Sequence, residues 1–245
     1  MKRIVPSLLI FVFCFSCTEQ NCFVEKGQKV KIEISVSDFD SLLISDQVEV
    51  ILSYNENGNH ELTLESYEGY LPSITHTQEG RTLSLGDNGI CNWTKDFHRP
   101  KFRVSVPNLN FIHHTGFGKL ETEGELPFEN LHLFLEDCFA EVNLSLNSEN
   151  LRLVSNSYTT LNLEGRSNNF NIFHAYNSGG LEARNFRCQK IVVNQRGNGR
   201  IHLFPITELA GSIRNTGNVY YYNIPDSMNI SELDIGKFID ATENN

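Results

Sequence analysis

The sequence lacks the signals that mark most enzymes. It has no G-x-S-x-G nucleophile elbow, no Gly-rich phosphate loop and no H-E-x-x-H helix, so the common hydrolase, nucleotide and zinc-protease readings have no anchor. Cys22, Cys91, Cys138 and Cys188 lie far apart, without the close pairs that structural zinc needs. Basic residues are scarce: 20 Lys and Arg against 30 Asp and Glu give a net charge of −10. That balance argues against nucleic acid and anionic membrane surfaces as partners. The one long apolar run, Ile4 to Phe15, is too short to span a bilayer as a mature helix. With 40% apolar residues, the 245-residue chain can still build a sizeable core in one or two domains.

What the chain does have is a repeat. From Leu109 it divides into lines starting at Leu109, Leu131, Leu151, Phe170 and Ile191, with a shortened sixth, SIRNTGNVYYYN. The starts are 22, 20, 19 and 21 residues apart. A period near twenty sets the architecture before any other reading. Two residues after each start comes a second apolar column: Phe111, Leu133, Leu153, Ile172 and Val193, continued by Ile213. A third follows ten or eleven residues after each start: Leu120, Val142, Leu161, Leu181 and Ile201, continued by Val219. Apolar residues at spacing two are strands with one face inward. Small and polar stretches join the two strands of each line: TGFGK, DCFAE, NSYTT, NSGG, RGNGR and TGN.

No line carries a helical pattern, so no helix is available to cross back over a sheet. The sequence therefore predicts an all-β, right-handed parallel β-helix, each line one turn of the coil, with strands about 4.8 Å apart. Asn108, Asn130, Asn150 and Asn169 precede line starts and suit a corner ladder of stacked amides. The alternative is a β-sandwich with evenly spaced strands.

Residues 1–17, MKRIVPSLLIFVFCFSC, read as an export signal. Its Ser16-Cys17 end resembles the lipobox of bacterial lipoproteins, although Cys14 and Phe15 replace the usual aliphatic and small residues. The resemblance implies cleavage before Cys17, acylation of its thiol and membrane attachment without a transmembrane helix. Export implies an oxidising compartment. The four remaining cysteines allow three connectivities. Cys22–Cys91 is favoured, because both lie in irregular segments flanking the first block of strands. Cys138 and Cys188 fall in different columns and read as buried thiols.

Residues 23–106 are rich in strands but irregular, and are expected to form the first coils and an N-terminal cap. The pieces FDSLLISDQVEVILSY, GICNWTKD and RVSVPNLNFIHHTGFGKLETEG, in that order, resemble the head GIN domain, the head domain of autotransporter-type adhesins, common in lipoproteins of the Bacteroidota. The resemblance covers roughly Cys22 to Tyr222. It implies a parallel β-helix at the cell envelope, an outer-membrane lipoprotein facing the periplasm or the exterior, and no catalytic residues to carry over. The expected division is a signal peptide at 1–17, the β-helix at 18–222 and a C-terminal cap or strap at 223–245. Ser231-Glu232 is a candidate start for a short helix there.

Two outward faces are candidate sites. Ile112, Phe134, Val154 and Phe173 form an apolar outward column on the first strand, which either a terminal segment covers or a partner does. On the second strand, Glu121, Glu123 and Glu164 belong to a polar face that suits a glycan, a cation or plain solvation. Acid pairs there would be needed for a polysaccharide lyase or glycoside hydrolase, the alternative to a non-enzymatic adhesin-like or scaffold role. His113 is expected inward with His174, His132 outward and His114 at a turn, which gives no metal site. No cofactor is implied. The partners expected are the membrane through its anchor, a glycan or protein at the cell surface, or a second copy. Asp40-Ser41-Leu42 resembles a short O-glycosylation acceptor, a triplet frequent by chance.

Overall fold

A computed structural model describes residues 24–89 and 98–244. Cys17, Cys22 and Cys91 lie outside the described residues. The core of the fold is a β-solenoid of about six turns, joined to a curled, mixed N-terminal sheet. In the solenoid the strands are β8 (Phe111–His114), β9 (Leu120–Glu123), β10 (Asn130–Glu136), β11 (Glu141–Asn156), β12 (Thr160–Ala175), β13 (Leu181–Arg196), β14 (Ile201–Ile213), β15 (Val219–Tyr221), β16 (Ser227–Glu232) and β17 (Phe238–Asp240). From β11 onward the second strand of one coil bends at a corner and continues as the first strand of the next. Every pairing along this run is parallel.

The register places like with like. Leu131, Leu151, Phe170, Ile191 and Leu209 are successive partners, as are Leu133, Leu153, Ile172, Val193 and Gly211. On the second strand, Leu120, Val142, Leu161, Leu181, Ile201, Val219 and Phe238 align. Nearly all of these inward side chains are buried and join one continuous core. Alternation along each strand sends their neighbours to solvent.

Four expectations need correction. In the first line the register is offset by one, so Leu133 meets Ile112 and Phe134 meets His113. Ile112 is therefore inward and fully buried, His114 is inward too, and Phe111 and His113 face outward. The same offset removes Asn108 from the corner ladder, which runs from Asn169 to Asn150 (3.0 Å) to Asn130 (2.7 Å). Near the other end, Ile213 aligns with Gln195 rather than two residues earlier, and the sixth coil begins at Leu209. The C-terminal segment then supplies a further coil: β16 pairs with β14 and β17 with β15. Ser231 and Glu232 are strand, not the start of a helix.

The N-terminal strands are β1 (Lys29–Ile34), β2 (Ser41–Ile44), β3 (Glu49–Tyr54), β4 (Glu61–Tyr67), β5 (Ile74–Glu79), β6 (Thr82–Asp87) and β7 (Lys101–Val106). The β2 and β3 strands dock in parallel on β8 and β9 as one more coil. On their far side β6 and β7 pair in parallel, and β5, β4 and then β1 close the end antiparallel. The edge strand β1 carries Lys29, Lys31 and Glu33, charges that discourage further strand addition. The coils approach closely at the turn: a Cβ on Gly118 would lie 1.7 Å from the Val48 carbonyl oxygen, and one on Gly199 1.5 Å from that of Gly179. No side chain fits at either.

Beside the turn the core becomes polar. One inward column reads His114, Leu135, Ser155, His174, Gln195, Ile213. His174 Nδ1 donates to Gln195 Oε1 at 2.8 Å, and Gln195 Nε2 donates to the Gly199 carbonyl at 2.7 Å. Gln195 Oε1 also accepts from the Gly197 amide at 3.1 Å. His114 Nε2 donates to the Gly118 carbonyl at 2.8 Å, while its Nδ1 accepts from the Gly116 amide at 3.1 Å. These side chains satisfy turn backbone that water cannot reach.

Burial drives the His174 pKa down to about 4, with the Gln195 hydrogen bond offsetting part of the effect, and lowers His114 in the same direction. The unfolded chain protonates His174 below about 6.5, the native chain only near 4. Stability is therefore full above pH 6.5 and falls as pH drops toward 4, by on the order of 3 kcal/mol for His174. Denaturant midpoints measured across that window should fall steadily in the native sequence, and the slope should flatten in His174→Gln, which can keep a bond to Gln195. Asp40 and Glu65, held low by Arg81 and Arg103, lose their contribution only at more acid pH.

Candidate functional site

The solenoid converts sequence columns into surface stripes. On the first-strand face the outward column is Leu43, His113, Phe134, Val154, Phe173 and Asn194, one residue per coil. The rings of His113 and Phe134 stack at 4.6 Å, and Arg196 sits over Phe173 at 5.2 Å. Beside them Phe111 meets the edge of His132 at 5.2 Å. Val192 is exposed next to Phe173. Glu136 reaches His113 at 3.3 Å, and Arg152 lies in the neighbouring outward column between Phe111 and Val192. The stripe expected on this face is present, with His113 in the place of Ile112. The C-terminal segment does not cover it as a strap, because it extends the coil at the end instead.

The second-strand face is polar and largely self-satisfied. Its column reads Glu121, Asn143, Asn162, Glu182, His202, Tyr220. Asn162 donates to Asn143 at 2.7 Å, and Asn143 donates to Glu141 at 2.8 Å. Glu121 pairs with Lys119 at 2.7 Å. Glu123 turns away to Arg103 (3.2 Å), which also holds Glu65 (2.9 Å). Glu121 and Glu164 share a shallow trough of about 410 Å³, and Glu123 is not part of it. Arg184 grips Glu182 through two bonds of 2.7 and 2.9 Å. Burial raises the Glu182 carboxyl, but that grip and nearby His202 outweigh it, leaving the group below the usual carboxylate range.

A further trough, about 680 Å³, runs along the corner between Glu125, Glu149, Arg166 and Arg187. No sequence motif marks it, because its residues come from the irregular ends of five lines. Among the described residues no group of three or more His, Cys, Asp or Glu side chains gathers to hold a metal.

The family described as "Putative auto-transporter adhesin, head GIN domain" matches residues 38–225. The chain belongs to the head GIN domain family. The fold is shared with solved structures. A "putative adhesin" from Bacteroides fragilis aligns at 20% identity over 87% of this chain and 97% of its own, with a TM-score of 0.79. A second, from Parabacteroides distasonis, aligns at 12% identity over 88% and 98%, with a TM-score of 0.65. A "putative lipid binding protein" from the same species aligns at 16% identity over 87% and 97%, with a TM-score of 0.63. At these identities the likeness establishes fold alone. No curated protein matches the chain.

Two further features of this head GIN chain bear on chemistry. Phe117, Phe139 and Tyr158 stack along the outside of the turn. Each is the third residue of its turn, in TGFGK, DCFAE and NSYTT, where the small and polar neighbours mask the aromatic column. Cys138 and Cys188 are free and fully buried. Burial raises both thiols, Cys188 to about 12. A buried thiol kept protonated is a poor nucleophile. Maleimide labelling followed by peptide mass mapping should leave both unmodified in the native protein and modify both in denaturant.

Proposed function

We propose that this chain is a lipid-anchored, non-enzymatic, adhesin-like module of the outer membrane that engages a partner through its first-strand face. The observation that carries the reading is the stripe itself. Phe111, His113, Phe134, Val154, Phe173 and Val192 form a half-exposed, mainly apolar band on a rigid sheet, crossed by Arg152 between Phe111 and Val192 and flanked by Glu136 and Arg196. That is the anatomy of a recognition surface. Anchoring follows from the Ser16-Cys17 end of the export signal, with acylated Cys17 as the attachment point. Cys22–Cys91 is the disulfide that fits the same oxidising compartment.

Of the enzymatic alternatives, a polysaccharide lyase or a glycoside hydrolase, the hydrolase needs a carboxyl group kept protonated near neutral pH. The described carboxyls whose values depart from the ordinary range, Asp40, Glu65, Glu182, Glu232 and Asp240, all move down. Glu121 and Glu123 are each committed to a cation. These features favour a solvated supporting face on the second strand.

Two measurements test the proposal. Cys17→Ser should move the protein from the membrane fraction to the soluble fraction and abolish labelling by palmitate. The paired change Phe134→Ser and Phe173→Ser should weaken capture of the mature protein on immobilised envelope fractions by at least about tenfold, the scale of losing interface anchors. Light scattering on the same variants identifies a second copy as the partner if a dimer dissociates. Unchanged capture and unchanged mass together would remove the first-strand face from the function.

A further inference from the structure

The turn between the two strands carries a surface distinct from both faces. Backbone hydrogen bonds set its register: Phe139 donates to Gly116, Tyr158 to Cys138, Ser178 to Ser157 and Asn198 to Asn177. The outward column is therefore Phe117, Phe139, Tyr158, Ser178, Asn198. Its first three members form a ladder, with ring centroids 5.6 and 4.8 Å apart and planes within 14° and 11° of parallel. They are 49%, 52% and 59% exposed. Phe139 is covered on both faces by its neighbours. Tyr158 is covered on one face only, because the next rung is the small Ser178.

Beside that missing rung stands Tyr176, 81% exposed. It holds a left-handed backbone conformation, φ 44°, rare for an aromatic residue. Neighbouring Asn177 explains how the conformation persists. Its side chain is buried, donates to Ser155 Oγ and accepts from the Gly179 amide at 2.6 Å. Two tyrosines are thus presented to solvent around a one-residue gap, on a turn pinned from inside. Asp137, two residues before the rung Phe139, holds the same conformation at φ 46°, so the turn's own geometry sets it, and at Tyr176 that geometry presents an aromatic ring to solvent.

We infer that this gap is a carbohydrate-binding platform, in which a neutral pyranose ring takes the place of the missing rung. The C–H bonds of a sugar's apolar face carry slight positive charge and suit the negative face of the Tyr158 ring. The sugar's hydroxyls meet the hydroxyl of Ser178 and the amide of Asn198. The column carries no charge, which suits a neutral ligand. It is also a narrow ridge at a turn, far from the roughly 800 Å² per partner of a standard protein interface, and so fits a linear chain better than a folded partner. The assignment rests on reading the chain as a binding module, and names the ligand class for a surface separate from the Phe134–Phe173 stripe.

Calorimetric titration of the mature protein with cellohexaose, mannohexaose and galactohexaose at millimolar concentration tests it. At least one should bind. Tyr158→Ala should weaken that binding about tenfold, the effect of losing one aromatic stack. Ser178→Phe should complete the ladder, leave the melting temperature unchanged or higher, and abolish binding. Absence of binding by all three sugars, or binding that survives Ser178→Phe, overturns the inference. Envelope capture that depends on Phe134 and Phe173 in the same protein would then show that the adhesin reading stands without it.

Discussion

Everything in this molecule depends on coils stacking in register at the spacing of a β-sheet. A single coil cannot bury its own apolar side chains. Leu133 is covered by Leu153 on one side and Ile112 on the other, and the same holds along the core. Each coil is stable only between neighbours, so the ends are where the arrangement is exposed to failure. The two ends are managed differently. The N-terminal end abandons coiling and folds antiparallel strands over the last parallel pair, finishing with the charged edge of β1. The C-terminal end keeps coiling through β16 and β17, but with thinner, mostly exposed strands.

The same constraint explains the polar column inside the turn. Stacked turns bring backbone amides and carbonyls together where no strand partner can satisfy them. Apolar side chains in that position would leave those groups unpaired. His114, Asn177 and Gln195 instead return hydrogen bonds to the turn of their own coil. The cost is an inward histidine whose charged form is excluded, so the interior is built for neutral or higher pH. Gly118 and Gly199 reflect the same crowding from the outside, since neighbouring carbonyls occupy the space of a side chain.

The architecture was legible because the constraint is periodic. A core column that repeats every 19 to 22 residues is visible without any knowledge of the fold, and the columns from Leu131 to Ile201 fell into register as read. Legibility failed where the period was interrupted. The first line is 22 residues long, and Phe111-Ile112-His113-His114 offers an inward candidate at either phase. Apolarity alone could not choose between Phe111 and Ile112; the packing of β8 between β2 and β10 does. Near the other end, the strand from Ile201 to Ile213 shifts register twice against its neighbour around Pro205, so apolar spacing alone sets the next start too late. The order of the N-terminal strands was not legible at all, because it is set by long-range docking of β2 and β3 on β8 and β9.

Sites follow a related rule. A solenoid places residues of one column side by side, so a functional surface is written across lines rather than along the chain. The Phe134–Phe173 column is legible because its residues alternate with core columns along the same strands. The turn ladder was missed because its aromatic residues lie among glycines and asparagines, where composition suggests only flexibility. Yet the rigid interior makes these outward columns the freest part of the molecule. An inward change such as loss of Leu153 leaves a cavity shared by two neighbouring coils, at a cost of about 2–5 kcal/mol. An outward change at Phe139 or Ser178 disturbs only the stack of rings. Selection can therefore rewrite the stripes without touching the coil. That division accounts for solved structures that keep this fold over nearly their full length at 12–20% identity. It also places any specificity of this chain in columns that the shared fold does not determine.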